Sequence, residues 1–172
     1  DRYRALGELP PIIAGQVQGK LACCMPKTLR FVMENGVIIL GRPDDFLRIE
    51  DELTVPFDHK TRGTKPTGDV HHAHQLQLNV YSWLLQMNGF STANKAYLGY
   101  YYPNHDSDLH NGMSIQCKVV EVPTHPNLIR QLVVKAFDVL NEPIPERGEN
   151  CEYCKWAEKI LSSNYQRERN LR

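Results

Sequence analysis

The stretch Gly41–Lys60, GRPDDFLRIEDELTVPFDHK, decides how the chain is read. Phe46–Ile49 and Leu53–Lys60 are apolar-rich runs on either side of the polar turn Glu50-Asp51-Glu52, the pattern of a β-hairpin. Asp58 and Lys60 are two apart in a strand, so their side chains leave the same face of the sheet. His59 points to the other face, but its carbonyl oxygen stays available. Asp44 comes from the neighbouring strand, where hairpin pairing can bring it within reach. Two carboxylates and a backbone carbonyl form a hard oxygen ligand set suited to Mg²⁺ or Mn²⁺. Such an ion acidifies water and neutralises phosphate charge. A lysine beside it can position or deprotonate the water, or stabilise a charged transition state. The expectation is that Asp44, Asp58 and Lys60 cut a phosphodiester, with the ion held by Asp44, Asp58 and the His59 carbonyl.

Outward from this hairpin the chain alternates strand and helix signals. Leu29–Glu34 and Val37–Leu40 flank Asn35-Gly36, a type I′ turn signal. The second run is expected to continue through Gly41, bend at Pro43 and resume at Phe46, giving a three-stranded antiparallel meander with Leu53–Lys60. Residues 1–27 are poorly defined. Pro10 and Pro11 could open a helix with an apolar stripe of Ile13, Val17 and Leu21. After a Gly- and Pro-containing loop, a helix is expected over His71–Asn88, with Leu76, Val80, Leu84 and Met87 at helical spacing and Asn88-Gly89 as its stop. Ala96–Tyr102 and Met113–Val122 read as strands. A later helix carries Ile129, Val133, Ala136, Phe137 and Leu140 on one face and ends before Pro143 and Pro145. Residues 146–172 hold Cys151-Glu-Tyr-Cys154 and a tail with Arg167, Arg169 and Arg172. The order predicts one mixed α/β domain over 1–172.

The 172 residues carry 20 basic and 20 acidic side chains, a net charge of +0. A passive coat for nucleic acid is usually basic, so contacts with nucleic acid must use a local patch. Arg42, Arg62 and Lys65 flank the hairpin and are candidates to hold a phosphate backbone. No apolar run reaches membrane-span length, and no cationic stretch leads into an apolar core at the N-terminus. Five cysteines, an odd number that includes adjacent Cys23 and Cys24, point to a reducing, cytoplasmic setting rather than a disulfide framework.

The pattern Gly-x-x-Asp at Gly41–Asp44, then an apolar strand ending Asp58-His-Lys60, resembles the PD-(D/E)XK nuclease superfamily. The likeness is to its RecB-like branch, which includes the CRISPR adaptation exonucleases. That branch carries a helix with Gln-x-x-x-Tyr, supplied here by Gln77-Leu-Asn-Val-Tyr81. The resemblance implies a restriction-endonuclease-like core, a mixed β-sheet with flanking helices. It adds Gln77 and Tyr81 to the catalytic set, the glutamine reaching the active centre and the tyrosine supporting it. It further implies a Mg²⁺- or Mn²⁺-dependent deoxyribonuclease acting on DNA rather than RNA. Two departures stand out. Relatives often place an acid or histidine on an early helix, but no histidine precedes His59. Glu8 is the only glutamate before the first strand, and Gln16 and Gln18 substitute poorly for a metal ligand. Relatives with a [4Fe–4S] cluster use one early and three late cysteines. Here Cys23 or Cys24 with Cys151 and Cys154 could form a thiolate site for zinc or a cluster, or these could be inert thiols. With no third late cysteine, no metal is expected there.

His71, His72 and His74 invite a zinc reading, against which stands exposure at a helix entry. The alternative to the enzyme is a nuclease-fold protein without catalysis that binds nucleic acid or serves as a subunit of a DNA-processing complex.

Overall fold

The computed structural model describes residues 2–106, 112–144 and 146–169, with residues 51 and 163–169 as backbone only. Pro145 and Arg172, and the side chains of Arg167 and Arg169, therefore lie outside the described residues. The chain forms two compact units, Asp1–Val134 and Lys135–Arg172.

In the first unit a short helix, α1 (Arg2–Leu6), precedes seven strands and a long helix. The strands are β1 (Lys20–Leu21), β2 (Leu29–Val32), β3 (Ile38–Gly41), β4 (Asp45–Ile49), β5 (Leu53–Thr61), β6 (Lys95–Pro103) and β7 (Ile115–Pro123). Helix α2 (His72–Met87) lies between β5 and β6, and α3 (Ile129–Asn141) follows β7. The main sheet has the order β1-β4-β5-β6-β7. All its pairs are antiparallel except β5–β6, which is parallel. Parallel neighbours need a crossover, and α2 supplies it. The result is the mixed sheet with flanking helices that the sequence leads one to expect.

The β4–β5 hairpin forms as read, with Asp45 opposite Phe57 and Ile49 opposite Leu53. The three-stranded meander does not. β2 and β3 make a separate two-stranded sheet, and β4 takes β1 as its other neighbour. The break falls at residues 42–44, where Pro43 lacks the N–H a ladder needs. Just before it, Gly41 packs so close to α2 that an added Cβ would lie 2.5 Å from Leu84 Cδ1. The β2–β3 turn also differs from type I′. Gly36 alone is left-handed, with φ +83°, and its N–H bonds Met33 O at 2.9 Å while Met33 N–H bonds Val37 O. That is a three-residue loop with its glycine in the left-handed position.

The helix expected over Pro10–Leu21 is replaced by turns and the strand β1. Gly15 and Gly19 have φ of +80° and +102°, and a Cβ at Gly19 would overlap Arg48 O, so this segment is built to run against β4. Ile13 and Leu21 are still buried, with Leu47, Ile49, Val55, Phe57 and Tyr97 on one face of the sheet. Gln16 meets the outer edge of β7, accepting from Val119 N–H at 2.9 Å and donating to Cys117 O at 3.0 Å. This side chain thereby satisfies backbone groups that an edge strand leaves open.

α2 covers the other face. Leu78 and Tyr81 pack with Ala96, Leu98, Tyr100 and Val122, while Trp83, Leu84 and Leu85 pack with Leu29, Phe46 and Ile129. The expected stripe is rotated: Leu84 is buried, but Leu76 and Met87 are 41% and 39% exposed. The helix lies between the main sheet and the β2–β3 hairpin, so its second half is buried on two sides and single-face periodicity fails.

In the second unit, α4 (Glu152–Arg169) starts just after Cys151. Among the described residues no helix is long and apolar enough to cross a membrane.

Candidate active site

Asp58 and Lys60 occupy the end of β5 on the face that α2 covers. Asp58 is only 2% exposed because β5 is central, with β4 on one side and β6 on the other. Its Oδ2 touches the Lys60 ammonium but has no hydrogen bond of good geometry. Lys60 Nζ also donates to Gln77 Oε1 at 3.1 Å. Gln77 Nε2 donates to Tyr81 Oη at 2.8 Å, and Tyr81 donates to Arg42 O at 3.3 Å. One polar chain thus runs Asp58, Lys60, Gln77, Tyr81, Arg42 and ties β5 and α2 to the segment that carries Asp44. The i, i+4 spacing of Gln77 and Tyr81 is what lets one helix supply two successive links.

Asp44 stands just before β4, and its Oδ2 accepts from the His59 backbone N–H at 2.9 Å. It directly precedes the Asp45–Phe57 pair and lies close enough for its charge to act on Asp58. In a strand a residue's N–H and C=O point to one edge, so the His59 carbonyl faces Asp44 as well. Burial pushes the Asp58 carboxyl up from the usual carboxylate range. The Lys60 ammonium opposes this and the nearby Asp44 charge adds to it. Burial likewise raises the Tyr81 phenol.

Two carboxylates, one of them with a buried oxygen that lacks a well-formed hydrogen bond, and a carbonyl are chemically suited to a hard divalent cation that keeps some of its waters. No group of three or more His, Cys, Asp or Glu side chains that could hold a metal occurs among the described residues. Asp44, Asp58 and the His59 carbonyl are the groups at this end of β5 that could hold such an ion.

On the opposite face lies a network that sequence reasoning missed. Asp45 accepts from Arg4 Nε at 2.7 Å, and the same guanidinium donates to Asp44 O at 2.9 Å. The His59 ring contacts Asp45 Oδ2 at 3.0 Å and Tyr101 Oη at 2.9 Å. Burial works against ionisation of Asp45, but the His59 and Arg4 hydrogen bonds outweigh it and hold its carboxyl low. Burial and the neighbouring Cys117 raise the Tyr101 hydroxyl. The available signal was alternation: of two adjacent aspartates at a strand start, one must face each way. Nothing local points to Arg4. An arginine of α1 thus reaches the site from the N-terminal segment, where relatives often place an acid or histidine; Glu8 is exposed.

Among the proposed phosphate holders, Arg62 sits over the Tyr100 ring, 5.6 Å from its centroid. Arg42 and Lys65 are exposed on the loops beside the site. The His cluster divides. His71 Nδ1 caps α2 by accepting from Ala73 N–H, His74 contacts Tyr100 Oη at 3.3 Å, and His72 is exposed. Cys23 and Cys24 are exposed, Cys23 Sγ donating to Arg4 O. In the second unit, Cys151 Sγ accepts from Cys154 N–H at 3.4 Å.

The family model of the PD-(D/E)XK nuclease superfamily matches residues 14–158. No curated protein matches the chain. Among solved structures it is similar to one named "Crystal structure of SSO0001", at 21% identity and a TM-score of 0.44 over 76% of this chain. The chain spans 56% of that protein's length.

Proposed function

The chain belongs to the PD-(D/E)XK nuclease superfamily, and we propose that it is a divalent-metal-dependent nuclease of the RecB-like type that hydrolyses DNA phosphodiesters. The observation that carries this reading is the polar chain from Asp58 through Lys60, Gln77 and Tyr81, with Asp44 bonded to the next residue of β5, His59. Asp44, Asp58 and the His59 carbonyl would hold Mg²⁺ or Mn²⁺, whose contribution is to acidify water and neutralise phosphate charge.

The protein's own groups do the rest. Gln77 accepts from the Lys60 ammonium and so aims it at the space before the two carboxylates. There Lys60 orients the attacking water or donates to the phosphate as its charge grows. Tyr81 holds Gln77 and is itself anchored on Arg42 O, so the lysine is fixed before substrate arrives. Asp44, bonded to the His59 N–H, keeps the β4 side of the site at the end of β5. Exposed Arg42, Arg62 and Lys65 are the candidates for backbone phosphates around this centre.

The second reading, a nuclease-fold protein that binds nucleic acid without cutting it, draws on one observation. No third acidic or histidine side chain forms a metal-holding group with Asp44 and Asp58 among the described residues. Incubating the protein with circular DNA, end-labelled linear DNA and RNA of matching sequence, each with Mg²⁺, Mn²⁺ or chelator, separates the two. Metal-dependent products from DNA support the nuclease; salt-sensitive binding with no product under any metal supports the binder.

A further inference from the structure

Beside Lys60 the surface opens into a groove of about 550 Å³. Its walls include Lys60, Arg62, Thr67, His71, His74 and Tyr100, with Asp69 as an acidic member. Besides Lys60, the groove's three basic side chains, Arg62, His71 and His74, are each held by a contact. Arg62 continues the β5 ladder, its N–H bonding Tyr101 O at 2.8 Å, and its guanidinium lies over the Tyr100 ring. His71 Nδ1 accepts the helix-capping N–H of Ala73, which leaves the proton of the neutral ring on Nε2 as a donor. His74 is oriented by Tyr100 Oη. Burial first, and then the nearby Lys60 ammonium, hold the His74 imidazole below its ordinary value.

This is donor chemistry for an oxyanion: a planar guanidinium fork, an imidazole N–H, a threonine hydroxyl and one ammonium shared with the catalytic centre. Its size exceeds a lone phosphate and suits one nucleotide unit. Tyr100 is only 4% exposed, so the ring forms the floor and offers no open face for a base to stack on. What is recognised is therefore backbone, not sequence.

We propose that this groove is a backbone-phosphate subsite in which Arg62 and His71 hold the phosphate next to the scissile one, on the Lys60 side, whatever base it carries. The assignment rests on the nuclease reading, because only that reading puts a scissile phosphate at Lys60. It gives the histidine cluster a role in anion binding instead of zinc binding.

The test is fluorescence anisotropy of 5′-labelled single-stranded DNA and RNA oligonucleotides of several base compositions, in chelator and across a salt series. The proteins are wild type, Arg62→Ala, His71→Asn, the double variant, and as control Lys20→Ala on β1, opposite Arg48 at the far end of the sheet. Asparagine keeps the cap of α2 while removing the ring. The double variant is expected to bind about tenfold more weakly at low salt. Its plot of log affinity against log salt should flatten by about 0.7, for the one phosphate charge that Arg62 neutralises. Lys20→Ala should match wild type, and the loss should be equal for all base compositions. Unchanged affinity and slope in the double variant, while the wild type cleaves, overturn the subsite alone. A loss confined to one base composition also overturns it. A wild type that neither binds nor cleaves nucleic acid overturns the nuclease reading and the subsite with it.

Discussion

Replacing Asp58 with asparagine removes a negative charge from a side chain that is almost wholly buried. Burial raises the Asp58 carboxyl, and the Lys60 ammonium does not outweigh it. A carboxyl whose folded pKa is raised favours the fold at low pH, and that contribution is lost as pH rises through the folded value. Ionised Asp58 therefore opposes folding at neutral pH. Asparagine has nearly the same shape and keeps an oxygen toward Lys60. The lysine side chain is 25% exposed and retains Gln77, so no buried cation is stranded. Asp58→Asn should stabilise the metal-free protein by about 1 kcal/mol, or roughly 2–4 °C in Tm for a chain of this size. The gap should close on acidification, as wild-type Asp58 takes up its proton. Manganese should act the other way: about 10 mM ion on a site of about 1 mM affinity adds about 1.4 kcal/mol to the wild type. The variant, with one carboxylate fewer, should gain much less. Melting curves in chelator and in Mn²⁺, from mildly acidic to mildly basic pH, measure both effects. A variant that melts below wild type in chelator at neutral pH refutes the claim that burial outweighs the ion pair.

Three further outcomes follow from the geometry. Tyr81→Phe deletes the hydroxyl between Gln77 and Arg42 O; melting should show a loss of about 1–2 kcal/mol, and cleavage should slow by about tenfold. Arg4→Ala removes the guanidinium that holds both Asp45 and Asp44 O. Calorimetric titration should show Mn²⁺ affinity reduced by about tenfold, as for other groups that orient metal ligands. Gly41→Ala places a Cβ 2.5 Å from Leu84 Cδ1 and 3.2 Å from Tyr81 Cδ1. Denaturant unfolding should show a loss of about 1–3 kcal/mol from overpacking.

The β4–β5 hairpin and the pairing of Asp58 with Lys60 were legible because a two-residue period fixes which side chains share a face. Gln77 and Tyr81 were legible only through resemblance, since an amide and a tyrosine at i and i+4 are common on helices. The N-terminal segment misled because Ile13, Val17 and Leu21 fit a helical stripe, while the left-handed conformation of Gly19 answers to β4, about thirty residues further along. The meander misled because local strand signals on either side of Pro43 do not reveal which sheet each run joins. Leu76 and Met87 fit the helical spacing of Val80 and Leu84 yet are exposed, because α2 packs against both the main sheet and the β2–β3 hairpin. Arg4 was beyond reach for the simplest reason: its partners lie 40 and 41 residues away.

We infer that Lys60, held between Asp58 and Gln77, takes part in phosphodiester hydrolysis. The most direct test of this role is the cleavage rate of end-labelled linear DNA with Mg²⁺ and Mn²⁺ by wild type and Lys60→Ala. Both proteins are first matched for folding by circular dichroism and melting. The expected result is metal-dependent cleavage by wild type and a fall of about a hundredfold or more in the variant. Equal rates from the two proteins, with the fold intact, contradict the account.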